Sequence, residues 1–105
     1  MLKVNLEYRK GILFVRLIGD LTKYTRQCLE DYLIPVISDH GIKYLAYNLK
    51  EIRTIDSQGR KSLKKGIAAA RKNKGYGVIC NAKESLNKEF ISFDNELAVL
   101  NQIKI

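Results

Sequence analysis

One histidine, two cysteines and one proline are all that this 105-residue chain holds of three informative residue types. Cys28 and Cys80 are too few for a disulfide framework and have no CxxC spacing, so no cross-linked scaffold is expected. His40 precedes Gly41 near an expected helix end, where a C-terminal cap or an ordinary surface residue sits. A zinc site lacks ligands and a Ser-His-Asp hydrolase lacks a placed base, and no cofactor is implied. A single proline and 7 glycines argue against long disordered linkers. No apolar run approaches the roughly 20 residues that span a bilayer, so no membrane insertion is expected. Met1-Leu2-Lys3-Val4-Asn5 carries charge where a signal peptide needs an apolar core, and the expected location is the cytoplasm.

What is present is the composition of a globular domain, 46% hydrophobic and 29% charged. The length suits one domain, residues 1–105, with a real core. Nineteen basic residues against 11 acidic give a net charge of +8, which points to nucleic acid, an anionic membrane or an acidic protein without choosing among them.

Along the chain, residues 3–9 alternate, Lys10-Gly11 signals a turn, and residues 12–18 are β-branched and apolar, which predicts a hairpin. Gly19-Asp20-Leu21-Thr22 reads as a loop ending in a helix cap, Thr22 or Thr25. Leu29, Leu33, Val36 and Ile37 predict a helix over 24–38, kinked or restarted at Pro35. Residues 42–49 hold the near-continuous apolar run of a strand covered on both faces. A second helix over 57–72 presents Gly59, Leu63, Gly66, Ile67 and Ala70 on one face, small residues that permit close packing on a sheet. A fourth strand spans 76–80. Beyond Asn81, a helical turn over 85–89, an extended piece over 90–93 and a last helix capped by Asp94 are expected, with Leu97, Leu100 and Ile103 turned inward. Right-handed crossovers then give an α/β fold: a mixed, mostly parallel sheet of four to five strands, opened by an antiparallel hairpin, with helices packed on it.

The centre of the chain is Ile55-Asp56-Ser57-Gln58-Gly59, between an apolar strand and a basic helix. Asp or Ser there supplies an oxygen to the free N–H groups of the first turn, and this is a helix cap if nothing more. A phosphate on Ser57 would also be favoured by those N–H groups and by the positive end of the helix dipole.

This motif, the Gly19-Asp20-Leu21-Thr22 segment and the order of elements together resemble the STAS domain, the fold of bacterial anti-sigma factor antagonists. The resemblance covers residues 3–80 well and 81–105 loosely. It implies that Ser57, the serine directly after the motif's Asp, is phosphorylated by an anti-sigma factor that is itself a kinase. It implies also that only the unphosphorylated form binds that factor, which frees the sigma factor and so regulates transcription. Four positions depart from the family pattern: Gln58 stands for a second Ser, Thr22 for Asp, Asn48 for a frequent Asp, and Arg60 for an apolar residue.

Asp20, Leu21, Thr22, Asp56, Ser57, Gln58, Gly59, Arg60, Lys61 and Lys64 are the expected partner surface, for an anti-sigma factor of the serine-kinase type or another acidic protein, with the free chain a monomer. Arg60 and Lys61, three and four residues after Ser57, are placed to reach a phosphate on it. The basic run Arg60, Lys61, Lys64, Lys65, Arg71, Lys72 and Lys74 has no acidic residue within it, and is either a solvated face or a contact surface. Other readings stay open: a diverged STAS scaffold without a sigma-factor role, a nucleic-acid-binding domain with Tyr76 as a stacking group, or an enzyme using Asp20, Asp56 and Ser57. For the last, no base activates the serine.

Overall fold

The computed structural model describes residues 1–103. Nine elements follow one another: β1 (Leu2–Arg9), β2 (Ile12–Leu21), α1 (Arg26–Asp39), β3 (Tyr44–Ile55), α2 (Ser57–Lys72), β4 (Tyr76–Cys80), α3 (Glu84–Asn87), β5 (Ser92–Phe93) and α4 (Glu96–Gln102). They build one five-stranded sheet in the order β1-β2-β3-β4-β5, antiparallel between β1 and β2 and parallel elsewhere. The expected α/β architecture and its opening hairpin therefore hold.

Period-two alternation on β2 divides its side chains between two cores. Leu13, Val15 and Leu17 face α1 and α2, meeting Leu29, Leu33, Ile37, Leu63, Ile67 and Ala70. Ile12 and Phe14 face the other way, with Ala46, Val78 and Cys80, under Val99 and Ile103 of the α4 segment. Leu45, Ala46 and Tyr47 on β3 are all 0% exposed, as expected of a strand covered on both faces.

Close packing of α2 depends on its missing side chains. A Cβ on Gly66 would overlap the Tyr47 hydroxyl, which instead reaches past it to donate a hydrogen bond to the Leu63 carbonyl at 3.1 Å. Full burial pushes the Tyr47 hydroxyl far above its ordinary pKa, so it stays a donor.

Short α4 is held over the sheet by polar contacts as well as by Val99. Arg16 grips the Glu96 carboxylate with Nε at 2.8 Å and Nη2 at 2.7 Å, and Asn48 Nδ2 donates to it at 2.7 Å. Hydrogen bonds from Arg16, helped by Asn48, hold the Glu96 carboxyl below its usual range against the opposing pull of burial. Nearby, burial pushes the Cys80 thiol up to about 12, leaving it an inert core residue.

Several boundaries differ from expectation. Gly19, Asp20 and Leu21 are the end of β2, not a loop, because β3 continues to Ile55 and pairs with them across two register shifts. α1 starts at Arg26 and runs through Pro35 without interruption. Asn95, not Asp94, caps α4, accepting from Ala98 N at 2.9 Å. That one-residue shift turns Leu97 outward to 65% exposure and places Val99 and Ile103 inside, with Leu100 half-buried.

Candidate functional site

Parallel pairing sets Asp20 level with Thr54 and Leu21 level with Ile55, so the end of β2 lies beside the start of the central motif. The Leu21 carbonyl accepts a hydrogen bond from Asp56 N at 3.3 Å. Asp56 is the hub of the junction. Its Oδ1 accepts from Gly59 N at 2.8 Å, capping α2, and its Oδ2 accepts from Lys23 N at 2.9 Å in the turn before α1. These donors, Gly59 N–H first and Lys23 N–H next, hold its carboxyl below the ordinary range.

Gly59 seals the junction from below. A Cβ there would collide with the Leu21 carbonyl and crowd the Ile55 side chain at 3.0 Å. Leu21 is 0% exposed and Gly59 is buried. Both were expected on the surface, but each is buried here and fixes α2 against β2. Ser57, the first residue of α2, is exposed, and Gln58 is half-buried beside it.

The turn between β2 and α1 is tied by threonines. Thr25 Oγ1 accepts from Thr22 N at 3.0 Å and donates to the Asp20 carbonyl at 2.7 Å, while Thr22 Oγ1 accepts from Tyr24 N at 3.2 Å. Thr25 occupies the N-cap position of α1 without capping it through its side chain. The turn pushes Tyr24 outward to 82% exposure, with Lys23 Nζ 5.0 Å above its ring. Asp20 is engaged by Arg53 Nη2 at 2.9 Å and by the N-terminal amine at 3.8 Å. Lys23, Tyr24 and Arg53 thus stand exposed near Asp20 and Asp56, a placement unforeseen in the sequence. The signal for Tyr24 was the pair of competing threonine caps, since a residue between two cap candidates can lie outside the helix.

The basic run on α2 is not free of acids, as the local sequence suggested. Glu89, after α3, pairs with Arg60 Nε and Lys64 Nζ, each at 3.2 Å, and Glu30 on α1 pairs with Lys65 Nζ at 2.9 Å. Burial drives the Glu30 carboxyl upward, but hydrogen bonds from Lys65 and Arg26 outweigh it and leave it below the usual range. Lys64 also lies 5.8 Å over the Phe90 ring, a second tie to the α3 side. Lys61 is exposed and has no carboxylate partner among the described residues. Beside the first turn of α2 opens a cavity of about 290 Å³, lined in part by Arg53, Arg60, Lys83 and Ser85.

As a reaction centre this surface is poorly equipped. Asp20 is neutralised by Arg53 and Asp56 is spent on two amides. His40 lines a cavity with Tyr8, Leu13, Val36 and Ile42, at the end of the sheet away from Ser57. No group of three His, Cys, Asp or Glu side chains among the described residues could hold a metal. The arrangement offers an exposed serine at the start of a helix with cations nearby.

Comparison with known proteins agrees with this geometry. An anti-sigma F factor antagonist of Paenibacillus polymyxa is 21% identical over 113 residues, covering 99% of this chain and 97% of that protein. The solved structure of the anti-sigma factor antagonist SpoIIAA in its unphosphorylated form superposes with a TM-score of 0.79 at 17% identity, over 96% of this chain and 100% of that one. The Bacillus cell fate determinant SpoIIAA in its phosphorylated form gives 0.72 at 16% identity, over 94% and 98%. Identities this low establish a shared fold, but the STAS domain model itself matches residues 3–99, and the chain belongs to the STAS domain family.

Proposed function

We propose that this chain is a phosphorylation-controlled protein-binding module, an anti-sigma factor antagonist that binds an anti-sigma factor kinase while Ser57 is unphosphorylated and so regulates transcription. The observation that carries the proposal is the division of labour in the central motif. Asp56 and Gly59 lock the turn, while Ser57 stands exposed on the first residue of a 16-residue helix. Phosphorylation adds about −1.5 to −2 charges at neutral pH. At a helix N-terminus that charge is tolerated by the dipole, with Lys61 one turn further on. The domain then stays folded while a fitted interface is broken by charge and bulk.

Asp20, Thr22, Gln58, Arg60 and Lys61 would form the partner surface with the serine, and Lys23, Tyr24 and Arg53 would extend it. The cations Arg53, Arg60 and Lys83 around the adjoining cavity favour an acidic partner. A binding module fits better than an enzyme, because the Asp carboxylates are engaged and the imidazole is at the far end. A cytoplasmic monomer is the expected free form; no helix among the described residues is long and apolar enough to cross a membrane. Incubation with a serine-kinase anti-sigma factor and ATP, followed by peptide mass spectrometry, tests the reading. Phosphate on Ser57 is expected; phosphate elsewhere with Ser57 unmodified refutes it. Gln58, Thr22 and Arg60 favour one second reading, a STAS scaffold without the kinase partner, under which Ser57 stays unmodified with every such kinase.

A further inference from the structure

We infer that the pole of the domain opposite Ser57 is a docking surface for an anionic lipid bilayer. Because β2, β3 and β4 are parallel, their starting ends gather at one pole, and the motif that follows β3 lies at the other. The starting pole is built from the Lys10-Gly11 turn, the segment leading into β3 and the turn after α2. Ile12, Tyr44 and Tyr76 sit level on adjacent strands, so the residues before them are neighbours at strand spacing. Tyr76 N donates to the Lys43 carbonyl at 2.9 Å, and Gly75 packs directly on the Lys43 backbone.

Both poles hold free cations, since Lys23, Lys61 and Lys83 near the switch also have no ion-pair partner among the described residues, but the acidic residues sit mainly on the switch side. Around the switch and along α2, Arg53, Arg60, Lys64 and Lys65 are matched by Asp20, Glu89 and Glu30. At the starting pole Lys10, Lys43, Lys72 and Lys74 are exposed, with no ion-pair partner among the described residues. Among the described residues, Asp39 is the one carboxylate in the turns and helix ends that form this pole.

Two of these lysines stand where the backbone disfavours them. Lys10 has φ of 51° in the hairpin turn, and Lys74 has φ of 67° just past the end of α2. Glycine or asparagine is the ordinary choice at both kinds of position, because a Cβ in the left-handed region crowds the backbone. Keeping a lysine at both, on one pole, retains charge at the expense of fold stability, and such outliers point to function.

The pole also has the apolar component that a bilayer interface takes; tyrosines stack on bases as well, so the oligonucleotide arm of the test separates the two. A cavity of about 370 Å³ opens there, lined by Tyr8, Leu13, Val36, His40 and Ile42. Tyr8 is 61% exposed on the helix side of the sheet and Tyr76 is 37% exposed on the other side, edge-on to Tyr44. Lysines between exposed tyrosines match the headgroup level of an anionic membrane, where each cation attracts acidic lipid and each ring settles at the interface. Binding of this kind is peripheral, reversible and weakened by salt. It leaves Ser57 facing away from the lipid, open to a kinase.

The test is co-sedimentation of the whole chain with phosphatidylcholine vesicles made with and without phosphatidylserine. Binding is expected only with phosphatidylserine, at low salt, and equally for Ser57→Asp. The double variant Lys10→Asn with Lys74→Gly removes two charges, which weakens binding about 25-fold, and it should melt no lower than the parent because both residues suit a left-handed backbone. Lys43→Gln with Lys72→Gln repeats the loss at ordinary backbone positions. No binding at low salt, equal binding to pure phosphatidylcholine, or unchanged binding by both double variants overturns the assignment. Tighter binding to a fluorescent single-stranded oligonucleotide than to vesicles overturns it in favour of a nucleic-acid surface.

Discussion

Replacing Gly59 with alanine separates the buried half of the motif from the exposed half. The added Cβ meets the Leu21 carbonyl, a main-chain atom that cannot swing aside, and also the Ile55 side chain at 3.0 Å. Overpacking of this kind costs about 1–3 kcal/mol, and a rigid obstruction places it in the upper part of that range. Alanine returns up to about 1 kcal/mol of helix propensity, so the net loss is about 1–2 kcal/mol. For a domain of this size that lowers the melting temperature by about 5–15 °C. Ser57→Ala, two residues away on the exposed side, should change stability by less than about 0.5 kcal/mol. Thermal unfolding followed by circular dichroism reads both. A Gly59→Ala protein that melts with the parent, or a Ser57→Ala protein that falls as far, refutes the division of the motif into a structural anchor and a surface serine.

Three further outcomes are expected. Tyr47→Phe should cost about 0.5–1.5 kcal/mol by losing the bond to Leu63, and combining it with Gly66→Ala should be milder than the sum of the two, because the hydroxyl is what that Cβ meets; additive denaturation energies would contradict this. The depressed Glu96 carboxyl contributes stability that is complete above the ordinary glutamate pKa of about 4.3 and is lost as pH falls through its lower folded value. Glu96→Gln should therefore flatten part of the acid limb of an unfolding-versus-pH curve, and an unchanged limb counts against the Arg16 pairing. Lys61→Glu should leave melting within about 0.5 kcal/mol of the parent while weakening an acidic partner, as seen by calorimetry; unchanged affinity removes Lys61 from the surface.

Much of the fold was legible because its signals are local. The Lys10-Gly11 turn, the Leu29 and Leu33 stripe and the small-residue face of α2 each announce an element within a few residues. Failures came where a distant partner decides. Gly19 and Asp20 look like loop residues, yet pairing with a prolonged β3 draws them into a strand. The second half of β3 escaped because Lys50, Glu51, Arg53 and Thr54 lie on an exposed stretch without apolar alternation. Glu30 and Glu89, which neutralise the α2 cations, come from α1 and from beyond α3, and no local spacing could announce them. At the motif itself, Asp56 as a cap was readable. That Leu21 is its buried counterpart was not, since a leucine beside an aspartate at a strand end can face either way.

In the proposed function, the charge state of Ser57 governs partner binding without altering the fold. Titration calorimetry of the unphosphorylated and Ser57-phosphorylated chain against one anti-sigma factor kinase measures this directly. At least a tenfold loss of affinity, about 1.4 kcal/mol, is expected on phosphorylation, with the melting temperature essentially unchanged. Equal affinity for the two forms would contradict it.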